Sequence, residues 1–271
     1  MAARFVARAA NTLSQKERTL EYMGKMGTNR KILAGILLLA VAVTNLQAQE
    51  IYGEAAVSAG RGSGALALGA IRQHALGKAQ RLSLGYGVRY TAFVGANQYY
   101  TTAPAKFTSP VQNITTIFSA TLQENIDTIT TTTTFVHAFN LVAQIGYRIT
   151  PALSLGFNID VVGLSFGGRK DFNILSSQFD PGQRPVQSAR PTRYNVLLTS
   201  DNDIGSLNSE FFAALKIGEQ TSVKAGLTFV FTEYQTQQPL SFDGGRIMND
   251  RYRLKESMLM VGVQRKLSKT K

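Results

Sequence analysis

The sequence predicts an all-β protein: an eight-stranded, antiparallel, up-and-down transmembrane barrel preceded by a signal-peptide helix. Three observations carry that reading. Between Tyr52 and Leu267, apolar and polar residues alternate with a period of two. Strands place successive side chains on opposite faces, whereas an amphipathic helix repeats its apolar positions at three and four residues. Connections between the alternating stretches are short, long, short, long, as a barrel with tight turns at one end and large loops at the other requires. The third observation is the leader.

In the leader, Gly27-Thr28-Asn29-Arg30-Lys31 precedes the apolar run Ile32 to Val43, followed by Thr44, Asn45, Leu46, Gln47 and Ala48. A basic start, an apolar stretch of about 7–15 residues and a small residue at the cut are the parts of a secretory signal peptide. The run falls short of the roughly 20 apolar residues of a membrane-spanning helix. Cleavage is expected after Ala48, which makes 26–48 the signal peptide and 49–271 the barrel; a signal anchor is the alternative. Residues 1–25 carry Arg4, Arg8, Lys16, Glu17, Arg18 and Glu21, a mixture of signs that does not suit a signal peptide starting at Met1. They read as a disordered upstream extension or a start codon placed too early, with Met23 or Met26 the conventional start.

The strands follow in order. Tyr52–Ala59 and Ala65–Gln73 form a first hairpin around Gly60-Arg61-Gly62-Ser63-Gly64, where glycines supply the positive φ of a tight turn. That Gly-x-Gly-x-Gly is not a dinucleotide fingerprint, because no helix pattern follows it. Past the turn Gly77-Lys78-Ala79-Gln80, the strand Leu82–Gly95 sets Leu82, Leu84, Tyr86, Val88, Tyr90, Ala92 and Val94 on one face. The other face carries Ser83, Gly85, Gly87, Arg89 and Thr91. Phe135–Ile149 repeats the pattern, with Asn140, Gln144 and Arg148 on its polar side, and Thr150-Pro151-Ala152 turns into a strand with Leu153, Leu155, Phe157, Ile159 and Val161 outward. Leu207–Ile217 and a strand from Val223 are joined at Gly218-Glu219-Gln220, and the eighth runs from Tyr252 to Leu267. All three short turns lie at one end together with both termini, so that end is periplasmic. The long connections 96–134, 168–206 and 233–250 are three large surface loops. Ten strands are the alternative, through Asn113–Leu122 or Asn195–Thr199.

Composition narrows the function. The formal charge is +12, but residues 1–48 hold seven Lys/Arg and two Asp/Glu, leaving 22 basic and 15 acidic residues, a net +7. The basic residues are scattered through turns and loops, which argues against nucleic-acid binding. Outer-membrane lipid is the expected partner of that charge, with a protein or polysaccharide partner at the surface loops. No cysteine is present, which excludes a lipoprotein anchor, a disulfide framework and thiol chemistry.

Eight strands enclose an interior just filled by side chains. The inward-facing charges are Glu54, Arg89, Arg148, Asp160, Glu210, Lys216 and Lys224, and an isolated buried charge is strongly destabilising. At least two ion pairs are therefore expected among them, with Arg89, Glu210 and Lys224 nearest mid-strand. A structural plug is the primary reading; a narrow ion path or gated lumen is the alternative. No catalytic, cofactor or metal site is expected, and the chain is not read as an enzyme. His74 and His137 lack a neighbouring hydroxyl or acid at catalytic spacing, although His137 is the one base a surface hydrolase could use. Asp201-Asn202-Asp203 lacks the glycine and glutamate of a calcium loop. Thr128 and Thr130–Thr134, interleaved with Ile126 and Ile129, suit a projecting hairpin whose edge could take a partner strand.

With its leader ending Leu46-Gln47-Ala48-Gln49 and its short glycine-turn strands, the chain resembles the small bacterial outer-membrane β-barrel proteins. The likeness is to the OmpA-barrel-like superfamily, in its Bacteroidota branch, and covers roughly residues 50–267. It implies export to the bacterial outer membrane, and a structural or adhesive role is expected. Such barrels often end on an aromatic residue; here Leu267 is followed by Ser268-Lys269-Thr270-Lys271. The rivals are a narrow channel or transport-associated barrel, and a secreted soluble lipocalin-like carrier. The carrier would point its apolar residues inward.

Overall fold

The computed structural model describes residues 49–103, 127–175, 186–198, 202–242 and 247–267. The leader, the segment 113–122, Asp180, Asp201 and Asp243 lie outside them. The strands are β1 (Gln49–Gly60), β2 (Ser63–Leu76), β3 (Leu82–Thr102), β4 (Thr128–Arg148), β5 (Leu153–Phe166), β6 (Lys170–Ile174), β7 (Val186–Pro191), β8 (Tyr194–Val196), β9 (Leu207–Lys216), β10 (Thr221–Phe242) and β11 (Ile247–Lys266).

Eight of these close a ring in the order β1-β2-β3-β4-β5-β9-β10-β11, every neighbour antiparallel. The seam joins the first and last strands, from Tyr52 opposite Lys266 to Ala59 opposite Leu259. Closure leaves no free sheet edge, which is what allows strands to stand in hydrocarbon. The outer belt is apolar: Tyr86, Phe139, Leu141, Phe211, Leu227, Leu259 and Val261 are exposed. Arg89, Asp160, Glu210 and Lys224 on the opposite faces are buried. Leu84, Leu155 and Leu227 thus point away from the lumen, the reverse of what a lipocalin-like carrier needs. The fold is a transmembrane barrel.

The short connections fall at the end that holds Gln49 and Leu267. Gln80 N donates to Gly77 O across one of them (3.2 Å), with Gly77 at φ 72° supplying a conformation that costs glycine nothing.

Among the described residues of the long connections, 96–102, 128–134, 170–174, 186–191, 194–196, 233–242 and 247–250 are strand, which differs from the loops expected there. β3 and β4 each run 21 residues, about ten more than a membrane requires. Above the membrane the ring changes composition. The β1–β2 turn stops at Gly60–Ser63, and β11 then pairs directly with β3 at Arg253–Thr101 and Tyr252–Thr102. On the far side β6 and β7 take over from β5 and β9, with Ile129 opposite Ile174 and Tyr234 opposite Pro191. A second ring of six strands, β3-β4-β6-β7-β10-β11, therefore continues the barrel outward.

Side-chain parity changes at the junction. Gly95 and Gln98 both face inward around Ala96 and Asn97, and opposite them Thr131 and Thr134 are buried around the exposed Thr132 and Thr133. Asn97 has φ 52°, a left-handed conformation that asparagine tolerates better than branched residues. The threonine segment thus lies inside β4, paired with β3 on one side and, at Ile129 and Thr130, with β6 on the other. β8 contains Asn195, where a ninth or tenth spanning strand was the alternative. It is three residues long and pairs with β5 above the bulge at Val161, so it does not span.

Candidate functional site

The lumen is filled in three layers. The middle layer is an ion network, and five of the seven expected residues meet in it. Arg89 sits mid-β3 and its guanidinium reaches two carboxylates on different strands. Nη2 donates to Asp160 Oδ1 at 2.6 Å and Nε to the same oxygen at 3.0 Å, while Nη1 lies 3.0 Å from Glu210 Oε1. Nη2 also donates to Asn208 O at 2.5 Å. Lys224 Nζ lies 2.9 Å from Glu54 Oε2 and 3.4 Å from Glu210 Oε2, so Glu210 bridges the two cations. Neutral amides complete the coordination. Asn140 Nδ2 donates to Asp160 Oδ2 at 2.7 Å, as does Asn208 N at 2.9 Å, and Asn158 Nδ2 donates to Glu210 Oε2 at 3.1 Å. None of the five charged side chains is more than 8% exposed. Each charge thus has at least one partner of opposite sign, which a buried ion requires, while Glu54 Oε1 is buried without a hydrogen bond.

The network is walled from below by Phe212. Lys224 Nζ lies 3.9 Å from the centre of that ring, and the tip of the ring lies over Gly156, where a Cβ would sit 2.3 Å from Phe212 Cζ. Only glycine leaves the ring this room. Beneath Phe212 opens a vestibule of about 330 Å³ at the short-turn end. Arg148 and Lys216 line this vestibule instead of joining the ion network. Both are exposed near the rim, so water solvates them and no buried partner is needed. The expected inward-facing set of seven therefore divides into five charges in the buried network and two at the rim.

On the vestibule's opposite arc Lys266 Nζ lies 2.5 Å from Glu50 Oε1, and Tyr52 donates its hydroxyl to the same carboxylate. Burial raises the pKa of Glu50, but the hydrogen bonds from Lys266 and Tyr52 and the nearby positive charges outweigh it. The carboxyl titrates below the ordinary glutamate range.

The upper layer is dry. Phe93, Tyr100, Ile129, Val136, Phe172, Val230, Tyr234, Leu240, Tyr252 and Met258 form one buried cluster that runs from the top of the eight-stranded ring into the six-stranded one. Tyr100 meets Phe172 edge-on at 5.3 Å and Tyr234 at 5.4 Å, the T-shaped geometry that aromatic quadrupoles favour. Burial pushes the Tyr234 phenol up to about 12. Between network and plug, Asn195 Nδ2 donates to Asn140 Oδ1 (2.7 Å), and Ser165 Oγ donates to Asn195 Oδ1 (2.9 Å).

A second buried ion cluster lies in the extension. Glu233 is paired with Arg251 (2.8 Å) and Arg253 (2.9 Å), and it accepts from Gly205 N at 3.2 Å. Both arginines donate to Asp203 O, which pins the 202–206 segment onto β10 and β11. The sequence placed Glu233 and the 202–206 segment in loops and Arg253 at the start of the eighth strand. Their signal was the alternation continuing through 230–236 and 250–256, interrupted by charges of opposite sign at directly opposed positions 233 and 253.

His137 lies on the outer face, surrounded by aromatic rings. Tyr90 Oη is 2.5 Å from its Nδ1, Phe166 stacks on it at 5.0 Å and Phe135 meets it edge-on at 4.3 Å. His74 stacks on Tyr86 at 5.8 Å. These surroundings hold the rings in place and bring neither histidine to a hydroxyl nucleophile with an orienting acid among the described residues.

No protein-family model matches the chain, and no curated protein does. Solved structures similar to it include Neisserial surface protein A, at 8% identity and a TM-score of 0.35, covering 81% of this chain and 97% of that one. A major outer membrane protein from Thermus thermophilus gives 11% identity and 0.35, over 82% of this chain and 100% of that one. A Pseudomonas aeruginosa FadL homologue gives 10% identity and 0.25, over 81% and 76%. Scores this low carry nothing about fold or task. The barrel assignment stands on the ring closure and the apolar belt.

Proposed function

We propose that this chain is a bacterial outer-membrane barrel that does not conduct, and that its six-stranded extension is the structural or adhesive element it presents outside the cell. One observation supports this above the others: the lumen is blocked twice, by the Arg89–Asp160–Glu210–Lys224–Glu54 network and by the aromatic plug around Tyr100. An eight-stranded interior has room for side chains and little else. Its expected partners are outer-membrane lipid around the belt and a protein or polysaccharide at the extension. No catalytic step is part of the proposal. The test combines membrane fractionation, heat-modifiable migration of the folded barrel, and planar-bilayer recording of the purified protein. Outer-membrane recovery with no steady conductance is the expected result.

A transport-associated barrel is the second reading, favoured by the vestibule of about 330 Å³ that ends blind beneath Phe212. Steady single-channel current from the wild-type barrel would select it over the plug.

A further inference from the structure

Directly beyond the last lipid-facing aromatics on one side of the barrel, cations accumulate. The chain leaves β5 at Phe166, whose ring stacks on His137, and within four residues reaches Arg169 and Lys170. Lys170 Nζ lies 3.2 Å from Thr133 Oγ1 on β4. Arg169 Nη1 lies 2.5 Å from the Gln237 side-chain amide on β10. Arg190 is exposed on β7, and Arg193, beside β8, holds its guanidinium 6.0 Å from the ring of Tyr194. Tyr194 is itself 61% exposed and stands opposite Leu164 of the belt. Among the described residues, the carboxylates on the strands of this patch and their partners are Asp171, exposed on β6, and Asp250, which accepts at 2.7 Å from Gln235, the residue opposite Arg190.

We infer that this patch, Arg169, Lys170, Arg190 and Arg193 above Phe135, His137, Phe166 and Tyr194, binds the phosphorylated headgroup of an outer-leaflet lipid. The reasoning is geometric. Aromatic rings settle at the level where acyl chains give way to headgroups, so groups one or two residues further out stand at the height of the phosphates. Cations there gain from a phosphate what cations elsewhere on the extension do not, and arginine can hold it with two parallel hydrogen bonds. Phe166, Leu164 and Phe139 continue below as a surface for acyl chains. The site rests on the outer-membrane reading above.

The experiment uses the full-length barrel in detergent and native mass spectrometry with diphosphoryl lipid A as the probe. A variant carrying Arg169→Ser, Lys170→Ser and Arg193→Ser is compared with one carrying Lys78→Ser, Arg81→Ser and Lys216→Ser, which removes the same charge at the opposite end. The first is expected to lose about a hundredfold in lipid affinity, at roughly fivefold per cation near an anionic surface, and the second to bind as wild type. The phosphate-free form of the lipid should bind the wild type as weakly as the first variant binds the intact one, and excess inorganic phosphate should not displace the lipid. Equal binding of both variants, equal binding of the phosphate-free lipid, or displacement by free phosphate overturns the site. Heat-modifiable migration is read on every sample: a barrel that folds but shows no preference refutes this site alone, and one that never inserts into vesicles refutes the membrane reading with it.

Discussion

Arg89→Met tests the account of the lumen most directly. Methionine keeps much of the volume and removes the charge, so what is measured is the network rather than a cavity. The guanidinium makes two contacts to Asp160 Oδ1 (2.6 and 3.0 Å), one to Glu210 Oε1 (3.0 Å) and one to Asn208 O (2.5 Å). After the change, Asp160 keeps Asn140 and Asn208 N on Oδ2, but Oδ1 has nothing in their place. Glu210 keeps Lys224 and Asn158. One carboxylate is thus stranded and the other half-supported. Breaking a buried pair from one side costs about 3–5 kcal/mol, and this site belongs in that range. Adding Asp160→Asn removes the stranded charge, so the double variant should recover about 2 kcal/mol relative to the sum of the singles. The assay is urea unfolding of barrels refolded in detergent micelles, followed by heat-modifiable migration and circular dichroism, since the chain has no tryptophan to report by fluorescence. A cost below about 1 kcal/mol for Arg89→Met, as for an exposed pair, would show that water reaches the lumen and that the plug is not dry.

Other expectations follow from the same geometry. Leu227→Arg places a charge on the outer belt and should destabilise the folded barrel by about 2–4 kcal/mol if it lies near the membrane midplane, measured by the same unfolding; a neutral result would contradict a lipid-facing belt. Gly226→Ala puts a Cβ 2.0 Å from the Phe211 carbonyl oxygen, a backbone atom that cannot swing away, so refolding yield should collapse, while Gly218→Ala, with nothing within 4 Å, should refold normally. Glu50 has a folded-state pKa below its ordinary value, so its contribution to stability is present above that ordinary value and is lost as the pH falls through the lower, folded one. Removing the pairing with Lys266→Met should flatten this acid-side loss in a pH series, and an unchanged profile would assign it to other carboxylates. Tyr100→Phe deletes the hydroxyl contact to Thr232 (3.1 Å) and should cost about 1 kcal/mol without admitting ions in bilayer recordings.

Inside the membrane the barrel was legible residue by residue, because one face must be greasy along ten positions and a period of two leaves few ways to satisfy that. Glu54, Arg89, Asp160, Glu210 and Lys224 could be placed inward from parity alone. Arg148 and Lys216 shared that parity, but parity says nothing about depth along the strand, and depth decides whether a charge is sealed or wet. Above the membrane the pattern stopped being informative. Both faces of the extension mix polar and apolar residues, and the two-residue step at Ala96 and Asn97 inverts which positions face inward. The threonine run therefore read as a projecting hairpin when it is part of the wall of a second ring. Glu233, Arg251 and Arg253 were missed because Glu233 fell at the start of the expected loop 233–250, which hid its place directly opposite Arg253, and no periodicity links them to the 202–206 segment they hold.

The two rings draw on different parts of the chain. The membrane ring cannot close until its first and last strands meet, a contact spanning more than two hundred residues, so any chain truncated before β11 leaves an unpaired edge in hydrocarbon. The six-stranded ring omits β1 and β2, since β3 meets β11 directly. It makes no ladder with the amino-terminal hairpin, so a change in the length or content of β6 and β7 leaves the anchoring seam between β1 and β11 untouched.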